Sequence, residues 1–348
     1  MTRPHISVLI LLILLLVLFW LAPEVPLLGF AGALLAVALR APADALAERT
    51  GLPGWAAVLI VAAGAVLALG LAAWAAYAPL MEQANQLARD LPNSVQSLLD
   101  RISGTAWGDW LLARAEPAQM LEGSGAVGGV ARAAGNTLGA LGNAVLVVLL
   151  GLYFGTRRAD TLRGLVRLVH PALDDDARDA LAEFGTVLRG WLLGQGFAMV
   201  VSGLLTWVGL LLLGVPLAGV LAVITAILGF IPIVGPLIAA VPAMLLALTQ
   251  DPILALWVAL LFIGVQTIEG NILTPMVQSE TADLPPAVLI LAQTLMGGFF
   301  GLLGVALSAP LAAVTLVLVR RAYVEGWLER PEQQLKGESI RTTGGPED

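Results

Sequence analysis

The chain has 348 residues, 58% of them hydrophobic and 12% charged, with a formal net charge of −7 and a mean hydropathy of +0.89. Soluble domains carry about a quarter charged residues, so this composition excludes an ordinary soluble fold and indicates one polytopic, all-α membrane domain with an extramembrane insertion. There is no cysteine, hence no disulfide framework, thiolate nucleophile or Cys-based metal site. The one lysine, Lys336 in the tail, rules out a Walker-type phosphate loop, and no basic patch points to nucleic acid.

In chain order, the first apolar run is Ile6–Ala22. It exceeds a typical signal core and is followed by Pro23 and Glu24, not by a small-residue cleavage site, so it reads as an uncleaved span. Val25–Leu39 and Trp55–Ala78 follow as candidate spans, closing an N-terminal transmembrane part over 1–78. The insertion 79–136 carries a helical stripe: Leu80, Ala84, Leu87, Leu91, Val95, Leu98 and Ile102 step by four and three, close to heptad spacing. The stripe is expected to bury a face on the protein's own surface or the bilayer, with a subunit-contact helix as the alternative. Pro92 is expected to kink or divide it, and Gly123–Gly135 reads as a linker.

The region 137–320 reads as the transport region. It opens with Thr137–Gly155 and continues with the cytoplasmic amphipathic segment 156–190 and the span Trp191–Leu213. Asp174, Asp175 and Asp176 begin an amphipathic pattern through Ala177, Leu181, Phe184 and Leu188. They are expected to serve the helix N-terminus, where carboxylates favour the dipole, and not to bind a metal. Two long apolar tracts then come, Val215–Thr249 and Ala287–Val319, with Ile253–Ile268 between them. A bilayer core takes about 20 helical residues, so each tract is too long for one straight span and short for two. Each is broken midway, at Gly229-Phe-Ile-Pro-Ile-Val-Gly-Pro236 and at Gly297-Gly-Phe-Phe-Gly-Leu-Leu-Gly304. Each tract therefore either crosses once or forms a re-entrant hairpin, about eight spans in all if each crosses. A polar tail occupies 321–348.

Between Arg189 and Arg320 there is no Lys or Arg. The positive-inside rule places Arg3, Arg40, Arg49, the arginines from Arg157 to Arg189, and Arg320 and Arg321 in the cytoplasm, which puts both termini there.

Enzyme chemistry finds no footing. His5 and His170 are the only histidines and both lie in polar segments, and Ser202 has no general base available to it, although nucleophile and base must lie within hydrogen-bond reach. Glu269 is the residue of interest. It shares a helix face with Gln266, and Gln266, Thr267, Glu269, Asn271 and Thr274 form the densest polar cluster in the C-terminal half. Ionisable groups at membrane depth are costly and face cavities, so Glu269 is read as a solute or proton site. The bland alternative is an interfacial carboxylate that caps the next segment. Gln195 and Gln293 either line a pathway or tie helices together. Asp251 before Pro252 reads as a helix cap. The candidate pathway comprises Gln195, Pro232, Gly235, Pro236, Gln266, Glu269, Asn271, Pro275, Gln293, Gly297, Gly298, Gly301 and Pro310, without a cofactor or metal.

Taken together, Gly190-Trp-Leu-Leu-Gly-Gln195, Leu213-Gly-Val-Pro216, Ile231-Pro-Ile-Val-Gly-Pro236, Glu269-Gly-Asn-Ile-Leu-Thr-Pro275, the glycines 297, 298, 301 and 304, and Ala309-Pro310 resemble the autoinducer-2 exporter family of bacterial inner-membrane proteins, the PerM-type permeases. The match in order and spacing covers about 160–320. The resemblance implies an eight-span inner-membrane protein, a homo-oligomer with a pentamer as one form, and export of a small polar signalling molecule such as autoinducer-2. Some relatives are linked instead to sodium/proton exchange. The expected function is a gradient-driven or facilitative carrier in the bilayer. A sodium/proton antiporter is the runner-up, and a non-transporting membrane scaffold is the alternative from another class.

Overall fold

A computed structural model describes residues 17, 21–22, 24–103, 137–168, 171, 174–273 and 285–321. The described residues are helical throughout, without strands. In order they are α1 (Glu24–Thr50), α2 (Gly54–Ile102), α3 (Thr137–Thr156), α4 (Arg158–Val166), α5 (Asp174–Leu212), α6 (Ala218–Leu228), α7 (Val234–Gln250), α8 (Pro252–Ile268) with a π-helical turn Glu269–Leu273, and α9 (Pro286–Val319). Five stretches are long and apolar enough to cross a membrane: Glu24–Thr50, Gly54–Trp74, Asp174–Leu212, Pro252–Ile272 and Pro286–Val319. Shorter apolar helices, α6 and α7 among them, accompany these. The expected first span, Ile6–Ala22, lies almost wholly outside the described residues, as does the linker Gly123–Gly135.

The chain divides into two compact units, one of residues 28–156 and 192–279, the other of 1–27, 157–191 and 280–348. In the first, α1, the start of α2 and α3 pack through Leu39, Ala43, Ala57 and Val58, with Leu35, Val61 and Leu152 against them. Small residues let these helices approach closely. A Cβ on Gly32 would stand 2.6 Å from Leu150 Cβ, and one on Gly151 would stand 2.7 Å from Leu35 Cδ2. Gly51, at φ +70°, ends α1 with its N–H on the Ala47 carbonyl, a left-handed stop that glycine adopts without strain.

The sequence suggested that Val25–Leu39 is short and that the stripe after residue 79 is a separate helix. Instead α1 runs on through Pro42 to Thr50, and α2 is one helix of 49 residues, about 73 Å long at 1.5 Å per residue. Pro92 does not divide it. The compensation for the missing donor is packing: Leu80, Ala84, Leu87 and Leu91 stay in phase and cover an apolar cluster that includes Leu210, Leu221, Ala239, Ala243, Leu246, Val258 and Phe262. Gln83 adds an acceptor, its Oε1 taking the Val220 N–H at 3.0 Å near the start of α6. This part of the stripe is thus buried on the protein's own surface. The preceding turns are bare apolar surface, with Val66, Leu69 and Trp74 all more than two-thirds exposed.

In the second unit the start of α5 packs on the end of α9 through Phe184, Val187, Ala313 and Val317. Glu183 accepts hydrogen bonds from both Arg320 and Arg321 at the edge of this contact. Asp174, Asp175 and Asp176 occupy the first turn of α5, where Arg178 pairs with the first two at 3.8 and 3.9 Å.

Candidate functional site

Local sequence sets the breaks around the site. The α5 helix stops in a Schellman motif: Gly214 has φ +70°, its N–H reaches the Leu211 carbonyl and the Val215 N–H reaches that of Leu210, as the motif requires. Between α6 and α7, Pro232 and Pro236 remove two donors. Ile233 adopts φ 67°, ψ −61°, and the Val234 N–H bonds the Pro232 carbonyl at 2.8 Å. This is a γ-turn of the strained kind, rare in proteins and rarer on a β-branched residue. After it the chain turns back. A Cβ on Gly235 would lie 1.8 Å from the Leu228 carbonyl oxygen, although seven residues of straight helix span about 10 Å.

The second tract behaves alike in its own unit. Within α9, Gly301 has φ 59°, ψ −145°, a conformation essentially reserved for glycine. A Cβ on Gly304 would meet the Met296 carbonyl oxygen at 2.1 Å, and one on Gly297 would meet Val305 Cγ2 at 2.7 Å. Both tracts thus fold back at their glycines, and neither is a single straight rod. Gln293, Ser308 and Pro310 are buried in this element, and Ser308 donates to the Val305 carbonyl. Gly298 has no neighbour where a Cβ would be.

The polar residues of the first unit converge on α5. Gln195 is 5% exposed and its Nε2 donates to the Gly229 carbonyl, tying α5 to the end of α6. Two turns further, Ser202 is 2% exposed and donates its hydroxyl to Glu269 Oε2 at 2.6 Å. Gln266 Nε2 donates to the same oxygen at 3.2 Å, as their shared face predicts. Charge-assisted hydrogen bonds of this kind are the stronger sort. The α5 and α8 helices run antiparallel along this contact, since Gly209 abuts Leu261 while Ser202 meets Glu269. Ser202 lies ten residues from either end of the apolar stretch Leu192–Leu212. Glu269 therefore sits level with the middle of an apolar helix, about 15 Å from its ends, and is not a cap at its edge. It also begins the π-helical turn, a distortion frequent at functional sites. Asp251, in contrast, is the expected cap: its Oδ1 accepts the Ile253 N–H at 2.9 Å, with Pro252 at the first helical position.

Of the candidate pathway residues, Gln195, Pro232, Gly235 and Pro236 gather at the α6–α7 turn, and Gln266 and Glu269 form one cluster with Ser202. Asn271 is exposed two residues on. Gln293, Gly297, Gly298, Gly301 and Pro310 belong to the other unit, and Pro275 lies outside the described residues. The sequence offered Ser202 no base, whereas the fold gives it a carboxylate partner 67 residues away. The signal was present as periodicity: Gln195, Ser202 and Thr206 share one face of an otherwise apolar helix. Among the described residues no group of three or more His, Cys, Asp or Glu side chains is placed to hold a metal.

Comparison with known proteins agrees with this architecture. Residues 9–323 match the family described as AI-2E family transporter. The candidate transport protein YueF of Bacillus subtilis (strain 168) is 32% identical over 132 residues, 38% of this chain and 36% of the relative. YrrI of the same organism is 34% identical over 142 residues, 41% of this chain and 39% of the relative. The candidate permease PerM of Escherichia coli (strain K12) is 28% identical over 205 residues, 58% of this chain and 56% of the relative. The matched stretch thus spans between about a third and about three-fifths of each of these curated relatives. With a family match over nearly its whole length and helices long enough to cross a bilayer, the chain is a multi-pass membrane protein that belongs to the AI-2E transporter family.

Proposed function

We propose that the protein is a carrier that moves a small polar solute across the bilayer by a gradient-driven or facilitative mechanism. The observation that carries this reading is the Ser202–Gln266–Glu269 cluster, level with the middle of an apolar helix. An ionisable side chain at that depth is costly, and its default explanation is a solute or ion route. The two reversals support the same reading. Irregular backbone is tolerated at membrane depth only where protein or a watery cavity satisfies it, and interrupted helices line the binding sites of many carriers. Both tracts then act as re-entrant hairpins. A scaffold has no use for them.

A hydroxyl, an amide, a carboxylate and broken-helix carbonyls suit a polyhydroxylated solute, and an autoinducer-2-like signalling molecule is of that class. The arginine distribution places both termini in the cytoplasm of a bacterial inner membrane, with export as the direction of transport and a homo-oligomer as the working form. A sodium/proton antiporter is the second reading, favoured by the contact between a titratable carboxylate and a buried hydroxyl. The test is flux of labelled solute in proteoliposomes. Glu269→Gln is expected to slow transport or abolish its pH dependence, and unchanged flux with an unchanged pH profile defeats the proposal. Dye-detected proton movement on adding sodium separates the antiporter from the solute carrier.

A further inference from the structure

Thr206 lies on the α5 face that carries Ser202 and Gly209, one turn beyond the first and just short of the second. Ser202 meets Glu269 and Gly209 meets Leu261, so Thr206 faces the part of α8 between them, the turn of Val265 and Gln266. The residue is fully buried, and its hydroxyl has no hydrogen-bond partner. Other helical threonines, among them Thr156, Thr186, Thr225, Thr267, Thr294 and Thr315, return their hydroxyl to the carbonyl four residues back. Thr206 does not. Thr161 shares that departure but is only half-buried. A buried orphan oxygen in a native interior calls for an explanation, and a bound ion or water is the common one.

We propose that Thr206, Ser202, Gln266 and Glu269 bind one dehydrated monovalent cation of the sodium class. Hydroxyl, amide and carboxylate oxygens are the hard ligands that alkali cations take. The cluster brings one formal negative charge, which one monovalent ion neutralises, whereas a divalent ion leaves net charge at a depth where charge is costly. Space favours a small ion: a Cβ on Gly209 would stand 2.3 Å from Leu261 Cδ1, so α5 and α8 run close together beside Thr206. Without the ion, Ser202 and Gln266 both donate to Glu269 Oε2. With it, the Ser202 and Thr206 hydroxyl hydrogens turn to the carbonyls four residues back on α5, as in the other threonines, and their lone pairs face the cation. Gln266 turns its amide oxygen inward.

The site rests on the carrier reading only for what the ion does, which is to couple solute movement to a gradient. Binding itself is measured without transport, by thermal unfolding of the purified full chain in detergent against NaCl, LiCl, KCl and choline chloride at constant ionic strength. Sodium or lithium is expected to raise the wild-type midpoint, with potassium and choline without effect. Thr206→Val and Thr206→Ala should raise the half-saturating sodium concentration at least tenfold, and Thr206→Ser should retain the wild-type response. Thr225→Val, which removes a buried hydroxyl bonded within its own helix, should leave it intact. An identical sodium response in Thr206→Val overturns the proposal, as does an equal response to all four salts, or none at all, which means the site holds water only. If Thr206→Val does not fold, the Ser and Ala variants give the same comparison. Solute flux that persists without sodium leaves the carrier reading standing while this one falls.

Discussion

Adding one methyl group to α9 distinguishes a folded-back tract from a straight one. In a straight helix, residues 296 and 304 are about 12 Å apart along the axis, and alanine in place of glycine stabilises by roughly 0.5–1 kcal/mol. In the structure a Cβ at Gly304 lands 2.1 Å from the Met296 carbonyl oxygen, an obstacle that cannot rotate aside. Overpacking costs about 1–3 kcal/mol, occasionally more, and a backbone obstacle puts Gly304→Ala at the upper end. After the propensity gain is subtracted, a net loss of about 1–2 kcal/mol remains. Gly298, six residues earlier, has open space at its Cβ, so Gly298→Ala should keep the gain of about 0.5–1 kcal/mol. The two variants should therefore differ by about 2–3 kcal/mol, with opposite signs relative to wild type. Equilibrium unfolding in mixed micelles reads this difference directly. If Gly304→Ala proves as stable as Gly298→Ala, the chain does not turn back there, and the reasoning about both tracts fails with it.

Further perturbations test other parts of the account. Ile233→Gly should relieve the positive-φ γ-turn and stabilise by about 1 kcal/mol, whereas a loss of that size in the same unfolding assay shows the turn to be unstrained. Gln83→Leu leaves the Val220 N–H without its acceptor and should cost about 1–3 kcal/mol, the penalty for a buried orphan donor; Gln83→Glu, which keeps an acceptor oxygen, should cost less. Replacing Arg320 and Arg321 together by glutamine should cost about 1 kcal/mol or less at low salt, because both side chains are partly exposed, and the difference should shrink at high salt. An unfolding cost independent of salt would contradict a chiefly electrostatic clamp.

Much of the fold was legible because bilayer-scale apolar length and helix periodicity are local signals. The spans, the Asp251 cap and the position of both breaks follow from apolar runs, from Asp before Pro, and from clustered Gly and Pro. What the breaks do was not legible. Single passage and hairpin use the same residues, and only φ at Gly301 and the approach of Gly235 to Leu228 decide between them. Pro92 misleads for a related reason: its local cost is offset by burial of Leu87 and Leu91 against α6–α8, a contact more than 100 residues distant in sequence. The site was half visible. Gln266 and Glu269 share a turn and were paired from spacing, whereas Ser202 came from another helix through antiparallel packing that no local pattern encodes. Gln195 proved to be a tie to the Gly229 carbonyl, one of the two roles its burial in an apolar span allowed.

The most direct measurement exploits the absence of native cysteine. With Ser202→Cys as the sole thiol, reaction with a small, charged, water-soluble thiol reagent applied to sealed vesicles of each orientation reports whether water reaches the middle of α5. The account predicts labelling from at least one side, slower than at a surface position and slowed further by transported solute. A thiol that stays unmodified from both sides, in protein whose fold is intact, would mean a dry, closed packing around Glu269 and would contradict the carrier.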